Sequence, residues 1–203
     1  MEDFKGVPGR LEYLKTVRGV RIYNDNNATT PDATIAALRA LSSKSQAPNH
    51  KQIQNPKALN ANRSTLNTGA KRIILIMGGT DKGLDMSKLV AEIPKHCKAV
   101  ILLKETGTDK LLTEFPHLKS PLIKGVPESA RAGVVSSAKE APHSDARRDV
   151  VVQETLKECV DEAMKIAEKG DIVLFSPAFA SFGRWFKNEY DRGEQFVKIV
   201  SKF

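Results

Sequence analysis

Short unbroken apolar runs alternate along this chain with longer stretches whose apolar positions recur every three to four residues. That alternation predicts strands followed by amphipathic helices. Residues 73–77, 100–103 and 172–175 are apolar throughout, as strands buried on both faces are. Residues 13–17 and 20–23 are β-rich and flank Arg18-Gly19, which predicts a hairpin. Helices are predicted over 31–41, 87–96, 108–115 and 194–201, with an earlier turn around Lys187. At the first of these, Thr30 can cap and Pro31 suits an opening turn, where its missing N–H costs nothing. Val152, Leu156, Cys159, Val160, Ala163, Ile166 and Ala167 recur at helical spacing, and Gly170 is expected to end that helix. Leu122-Ile123 is a candidate for one more short strand.

Strands alternating with helices define the expected fold class as α/β. The expected architecture is a Rossmann-like, mostly parallel sheet with helices on both faces, plus a small N-terminal β-hairpin element. Two stretches interrupt the pattern. Residues 42–70 are rich in Ser, Asn, Gln, Lys and Ala, with Ile53, Leu59 and Leu66 their only large apolar side chains, and read as a long flexible insertion. Residues 127–148 read as a polar loop. The expectation for 1–203 is a single domain carrying both interruptions.

Charge changes that picture little. The net charge is +8, but Lys44, Lys51, Lys57, Arg63, Lys71 and Arg72 supply six of those charges from a segment with no acidic residue. Basicity confined to one segment is not the structured basic face that nucleic-acid recognition needs. No apolar run approaches the roughly 20 residues that span a bilayer. The start, Met1-Glu2-Asp3-Phe4-Lys5, is not followed by the apolar stretch of a signal peptide, so a cytoplasmic location is expected. Cys97 and Cys159 lack the spacing of a zinc ribbon or a disulfide framework, and Cys159 falls on an apolar helical face. His96 beside Cys97 lacks two further ligands, so no metal is assigned to this domain.

Candidate chemistry gathers where strands end. In parallel sheets ligands bind beyond the carboxyl ends of the strands. Three strands there run into polar loops: Asn24-Asp25-Asn26-Asn27-Ala28-Thr29-Thr30, Gly78-Gly79-Thr80-Asp81-Lys82-Gly83, and Ser176-Pro177-Ala178-Phe179-Ala180-Ser181-Phe182. Singly, each has an ordinary explanation in turn or cap formation. Together they would set Asp25, Thr29, Lys82 and Ser181 around one cleft, where a cation and hydroxyls suit a carboxylate or phosphate. Neither GxxxxGK[ST] nor GxGxxG is present, and no GxSxG motif or histidine in these loops suggests hydrolysis.

These motifs resemble the C-terminal domain of the UDP-N-acetylmuramoyl-L-alanine:D-glutamate ligases, the MurD family. The resemblance runs in order through Phe4-Lys5-Gly6-Val7-Pro8-Gly9-Arg10-Leu11-Glu12, Asn24-Asp25, Ala28-Thr29, Gly78-Gly79 with Lys82-Gly83, and Ser176-Pro177-Ala178. It continues through Ala180-Ser181-Phe182, Phe186-Lys187-Asn188, Arg192-Gly193 and Phe196. It implies a part of an ATP- and Mg2+-dependent ligase of peptidoglycan precursor synthesis. In that reaction the carboxylate of UDP-MurNAc-L-alanine is phosphorylated and the amine of D-glutamate attacks the acyl phosphate. Carried over, Thr29, Lys82 and Ser181 would hold D-glutamate with Tyr190 as the aromatic beside it, and Arg10 and Asp25 would face the nucleotide.

The departures are specific. Gly9 stands where the family has a histidine and Asn27 where it has a lysine, and the chain is one residue longer around Arg184-Trp185. The ATPase and UDP-binding domains of the family are not in this sequence, so they are expected to act as partners in cis or trans. Alone, the chain is expected to lack ligase activity. A non-catalytic Rossmann-like module binding a nucleotide or an amino acid is the alternative.

Overall fold

A computed structural model describes residues 6–46, 71–119 and 150–203. Of the flexible insertion expected at 42–70, residues 42–46 are helical instead, continuing the first helix, and 47–70 lie outside the described residues, as do 122–123 and 127–148. Described elements are β1 (Glu12–Val17), β2 (Val20–Asn24), α1 (Pro31–Gln46), β3 (Ile73–Met77), α2 (Ser87–His96) and β4 (Cys97–Leu103). They continue with α3 (Thr106–Glu114), a 3-10 turn (Pro116–Lys119), β5 (Val150–Gln153), α4 (Leu156–Ile166), β6 (Ile172–Phe175) and α5 (Glu189–Val200).

The strands form one six-stranded sheet in the order β1-β2-β6-β3-β4-β5. Among these described strands only the β1–β2 pair is antiparallel; β2–β6, β6–β3, β3–β4 and β4–β5 run parallel. The hairpin is thus the sheet's own edge rather than an added element. Its turn places Arg18 at φ 50° and Gly19 at φ 81°, the double positive φ that matches the twist of paired strands.

Side chains alternate across the sheet and build two cores. Ile73, Leu75, Met77, Val100, Leu102, Ile172 and Leu174 meet α1, α2 and α3 on one face. Ile22, Ile74, Ile76, Ile101, Val173 and Phe175 meet α4 and α5 on the other. Phe175 stacks on Phe196 of α5 with centroids 4.5 Å apart. Burial on both faces is why the central strands read as continuous apolar runs.

Several boundaries differ from the sequence expectation, each for a local reason. Val152 belongs to β5, not to the following helix, which begins after Thr155 in a reciprocal capping box with Glu158. Gly170 does not end that helix. The helix stops at Ile166, and Gly170 (φ 95°) sits in the turn into β6. Strand β4 starts at Cys97 rather than at 100, because a bulge makes Lys98 the extra residue between the Ile73–Cys97 and Ile74–Ala99 pairs. Lys98 then bonds Asp171 at 2.8 Å and Glu168 at 3.0 Å. Helix α5 starts at Glu189 because Asn188 caps it by accepting from the Asp191 N–H at 2.9 Å. Helix α1 runs on to Gln46, five residues past its expected end at 41.

Candidate functional site

Strand β5 leads through α4 to β6, which inserts between β2 and β3. That crossover makes the carboxyl ends of β2, β6 and β3 neighbours, the switch-point arrangement in which open α/β sheets form a crevice. The three loops are then stitched by backbone bonds. Asp25 N–H donates to Phe175 O at 2.8 Å, Ala178 N–H to Ala28 O at 2.8 Å, and Gly78 N–H to Pro177 O at 3.0 Å. Thr80 and Ala180 exchange bonds of 3.0 and 3.1 Å, and the Thr80 hydroxyl donates to Phe182 O. The loop that carries Ser181 therefore lies between the β2 loop, which carries Thr29, and the β3 loop, which carries Lys82.

The close approach requires special backbone. Gly79 has φ 148°, and a Cβ there would lie 2.3 Å from Ala180 O. Ala178 holds φ 62° while 1% exposed, a left-handed conformation a residue with a Cβ enters only when surroundings enforce it.

The six residues expected at the site are placed as follows. Thr29 is half-buried and Ser181 is buried, and neither side chain has a hydrogen bond among the described residues. Lys82 is exposed on the loop tip, with no ion pair among the described residues. Its loop is braced by its neighbours: Asp81 accepts from Gly83 N–H at 2.9 Å and from Lys110 at 3.1 Å. Tyr190 lies in the first turn of α5 and is 73% exposed, so it does not pack against the loops. Arg10 is exposed, close enough to favour the ionised form of Asp25.

Asp25 is turned inward. Its Oδ1 accepts from Leu11 N–H at 2.9 Å and its Oδ2 from the Ser176 hydroxyl at 2.9 Å. Ser176 Oγ is also 2.9 Å from Thr34 Oγ1, and both of those residues are fully buried. Burial raises the Asp25 pKa above its ordinary value, against the opposing pull of Leu11 N–H, Ser176 and Arg10. The carboxylate thus ties residue 11, held at φ 45°, to the end of β6 and to α1.

The two departures Gly9 and Asn27 meet each other. Asn27 N–H donates to Gly9 O at 2.9 Å and Asn27 Nδ2 to Pro8 O at 3.1 Å. Gly9 (φ 72°) has room for this because a Cβ would already be 3.1 Å from Asn27 Oδ1. Residues 8–11 are latched onto the loop that carries Asp25.

Sequence reasoning included Asn26 and Arg192 in its motifs but gave neither a role. Arg192 is 0% exposed in α5. Its Nε donates to Asn26 Oδ1 at 2.7 Å, one terminal nitrogen to Asn26 O at 3.0 Å, and the other to Phe179 O at 3.3 Å. Burial lowers its pKa to about 10, which still leaves it charged at neutral pH. A signal did exist: Arg192, Phe196 and Val200 form one i, i+4, i+8 stripe, and all three are buried.

His96 is absorbed into a helix contact, with Nδ1 2.8 Å from Ser42 Oγ and Nε2 3.0 Å from Glu92. Among the described residues no three His, Cys, Asp or Glu side chains are grouped to hold a metal ion, and no helix is long and apolar enough to cross a membrane.

Comparison with known proteins gives a consistent picture. The family profile described as Mur ligase, glutamate ligase domain matches residues 54–179. A UDP-N-acetylmuramoylalanine--D-glutamate ligase of Borreliella afzelii is 34% identical over 200 residues, covering 98% of this chain and 32% of that protein. Its counterpart in Roseiflexus sp. is 34% identical over 203 residues, covering 100% of this chain and 32% of the relative. The chain therefore spans about a third of the length of these relatives. A murein peptide ligase from Psychrobacter arcticus shares the fold with a TM-score of 0.50 and 11% identity, over 99% of this chain and 32% of that one.

Proposed function

The chain belongs to the family of Mur ligase glutamate ligase domains, and from that premise we propose that it is the amino-acid-accepting domain of a MurD-type ligase, receiving D-glutamate. The observation that carries the proposal is the junction of the β2, β6 and β3 loops. It offers one exposed cation, Lys82, and two hydroxyls, Thr29 and Ser181, with no protein partner among the described residues. A dicarboxylate needs that combination: a charge for one carboxylate and directed neutral donors for the other.

In this reading Lys82, Thr29 and Ser181 hold the carboxylates so that the amine faces the interdomain side. Orientation of that amine is the domain's share of the rate. The amine attacks the activated carboxyl carbon of UDP-MurNAc-L-alanine, an amide bond forms, phosphate leaves and the amine loses a proton. ATP with Mg2+ supplies the activation of that carboxylate when the ATPase domain is joined. On this side Arg10 fits a nucleotide directly, because its guanidinium is exposed. Asp25 fits it indirectly, by holding the Leu11 turn that carries Arg10. Tyr190 would reach the acceptor only after a partner domain closes on this face.

Titration of the chain with D-glutamate tests the proposal. Lys82→Ala is expected to weaken binding by about tenfold or more, the effect of losing a charge-assisted bond. Equal affinity in both proteins removes Lys82 from the site. The chain alone is expected to release no phosphate from ATP with UDP-MurNAc-L-alanine and D-glutamate, and release by the purified chain would contradict that division of labour. The inward-turned Asp25 favours one second reading, a module that binds the amino acid without any nucleotide. D-glutamate affinity unaffected by ADP in the reassembled protein would select it.

A further inference from the structure

Arg192 is buried without a carboxylate partner among the described residues, since its three acceptors, Asn26 Oδ1, Asn26 O and Phe179 O, are all neutral. Glu189 favours the charged form of Arg192, but no ion pair joins the two among the described residues. Burying an arginine this way is costly, and a neutral side chain packed between helix and sheet would serve stability at least as well. What the guanidinium provides is planar geometry, with one nitrogen edge on the β2 loop and the other on the β6 loop. The third loop is within reach too, because a Cβ on Gly79 would lie 3.4 Å from an Arg192 terminal nitrogen. Asn26 is fixed from both ends, its Nδ2 donating to Glu189 O at 2.6 Å. The backbone of α5 presses on it as well, since a Cβ on Gly193 would lie 3.1 Å from Asn26 Nδ2.

We infer that Arg192 is the positioning residue of the acceptor site, a fork that sets the loop bearing Thr29 and the loop bearing Ser181 at one fixed separation. The inference rests on the acceptor-site reading for its ligand, a dicarboxylate, and on geometry alone for its clamp. Thr29 lies three residues beyond Asn26, and Ser181 two residues beyond Phe179. The short spans leave each hydroxyl little freedom once the clamp is set. A lysine in place of Arg192 would keep the charge but offer a single point of attachment, unable to hold both loops.

The test is amide hydrogen exchange on the whole chain, wild type against Arg192→Lys, together with D-glutamate titration. Arg192→Lys is expected to speed exchange at 26–29 and 178–182 by tenfold or more. Amides of β3 and β4 should stay at wild-type rates, and D-glutamate affinity should fall at least tenfold despite the retained charge. Unchanged loop exchange overturns the clamp. So does acceleration spread evenly over the sheet with affinity intact, which would make Arg192 a general stabiliser. If Arg192→Lys does not fold, Asn26→Ala removes one acceptor of the fork and is read the same way. If wild type binds no D-glutamate, the acceptor-site reading fails, while the exchange arm still decides the clamp.

Discussion

Asn in place of Asp25 is the most discriminating single substitution in this protein. The wild-type carboxylate accepts from Leu11 N–H and Ser176 Oγ–H, each at 2.9 Å. The single Ser176 proton faces both Asp25 Oδ2 and Thr34 Oγ1, each at 2.9 Å, and Thr34 itself donates to Ser176 O. In Asp25→Asn the network can rearrange. The amide oxygen keeps Leu11 N–H, Nδ2 donates to Ser176 Oγ, Ser176 donates to Thr34, and Thr34 donates to Ser176 O, already 3.5 Å away. Every group stays satisfied and no charge is buried, so stability is expected within about 1 kcal/mol of wild type. Asp25→Ala removes both acceptors and is expected to cost about 2–4 kcal/mol, since bonds to a charged group contribute about 1.5–3 kcal/mol and the donors are left buried. The pH dependence has a definite sign. Burial raises the folded pKa of Asp25, so the folded state holds that proton more tightly than the unfolded one. Wild type should therefore gain stability relative to Asp25→Asn as pH falls through the raised value towards the ordinary 3.8. Urea denaturation of the three proteins from neutral pH downward measures both effects. Asp25→Asn as damaged as Asp25→Ala, or a difference from wild type that ignores pH, would refute the reasoning.

Three further outcomes are expected. Gly79→Ala would drive a Cβ to 2.3 Å from Ala180 O at φ 148°, and should lose more than about 3 kcal/mol by urea unfolding; a loss under 1 would contradict the loop packing. The Cys159 thiol is pushed up to about 12 by burial, so iodoacetamide should label it only as the protein unfolds, and rapid native labelling seen by mass spectrometry would be the contrary result. Glu92 is held down to about 2 by Lys95, Arg39 and His96, so its contribution is present above its ordinary 4.5 and lost as pH falls towards 2. The difference in urea midpoint between wild type and Glu92→Gln should shrink over that window, and a constant difference would argue against the latch between α1 and α2.

Apart from β5 at Val150–Gln153, which was not expected as a strand, the order of the described strands and helices was legible because burial on two faces writes unbroken apolar runs, and burial on one helical face writes a period of 3.6. The motifs at the ends of β2, β3 and β6 could be named from the sequence for the same reason: they follow such runs. Element edges were less legible where a local device overrode composition. Lys98 precedes the unbroken apolar run yet belongs to β4 as its bulge residue, and Gly193 lies inside α5, where it gives the helix room to lie on Asn26. Val152 fits a helical period by coincidence, and only pairing with Leu102 across the sheet assigns it to a strand.

The sequence by itself therefore determined an α/β fold, three polar loops at one sheet edge and the residue types Thr29, Lys82 and Ser181 within them. Tertiary structure decided which strand lies between which, and so that the Ser181 loop separates the other two. It also decided that Asp25 faces inward, that Gly9 and Asn27 close on each other, that Tyr190 stands in solvent, and that Arg192 joins the loops from below. The division has a physical cause. Periodicity reports a residue's exposure to water, a property of its own element, whereas hydrogen-bond partners such as Asp25 with Ser176, 151 positions apart, exist only after distant segments have packed.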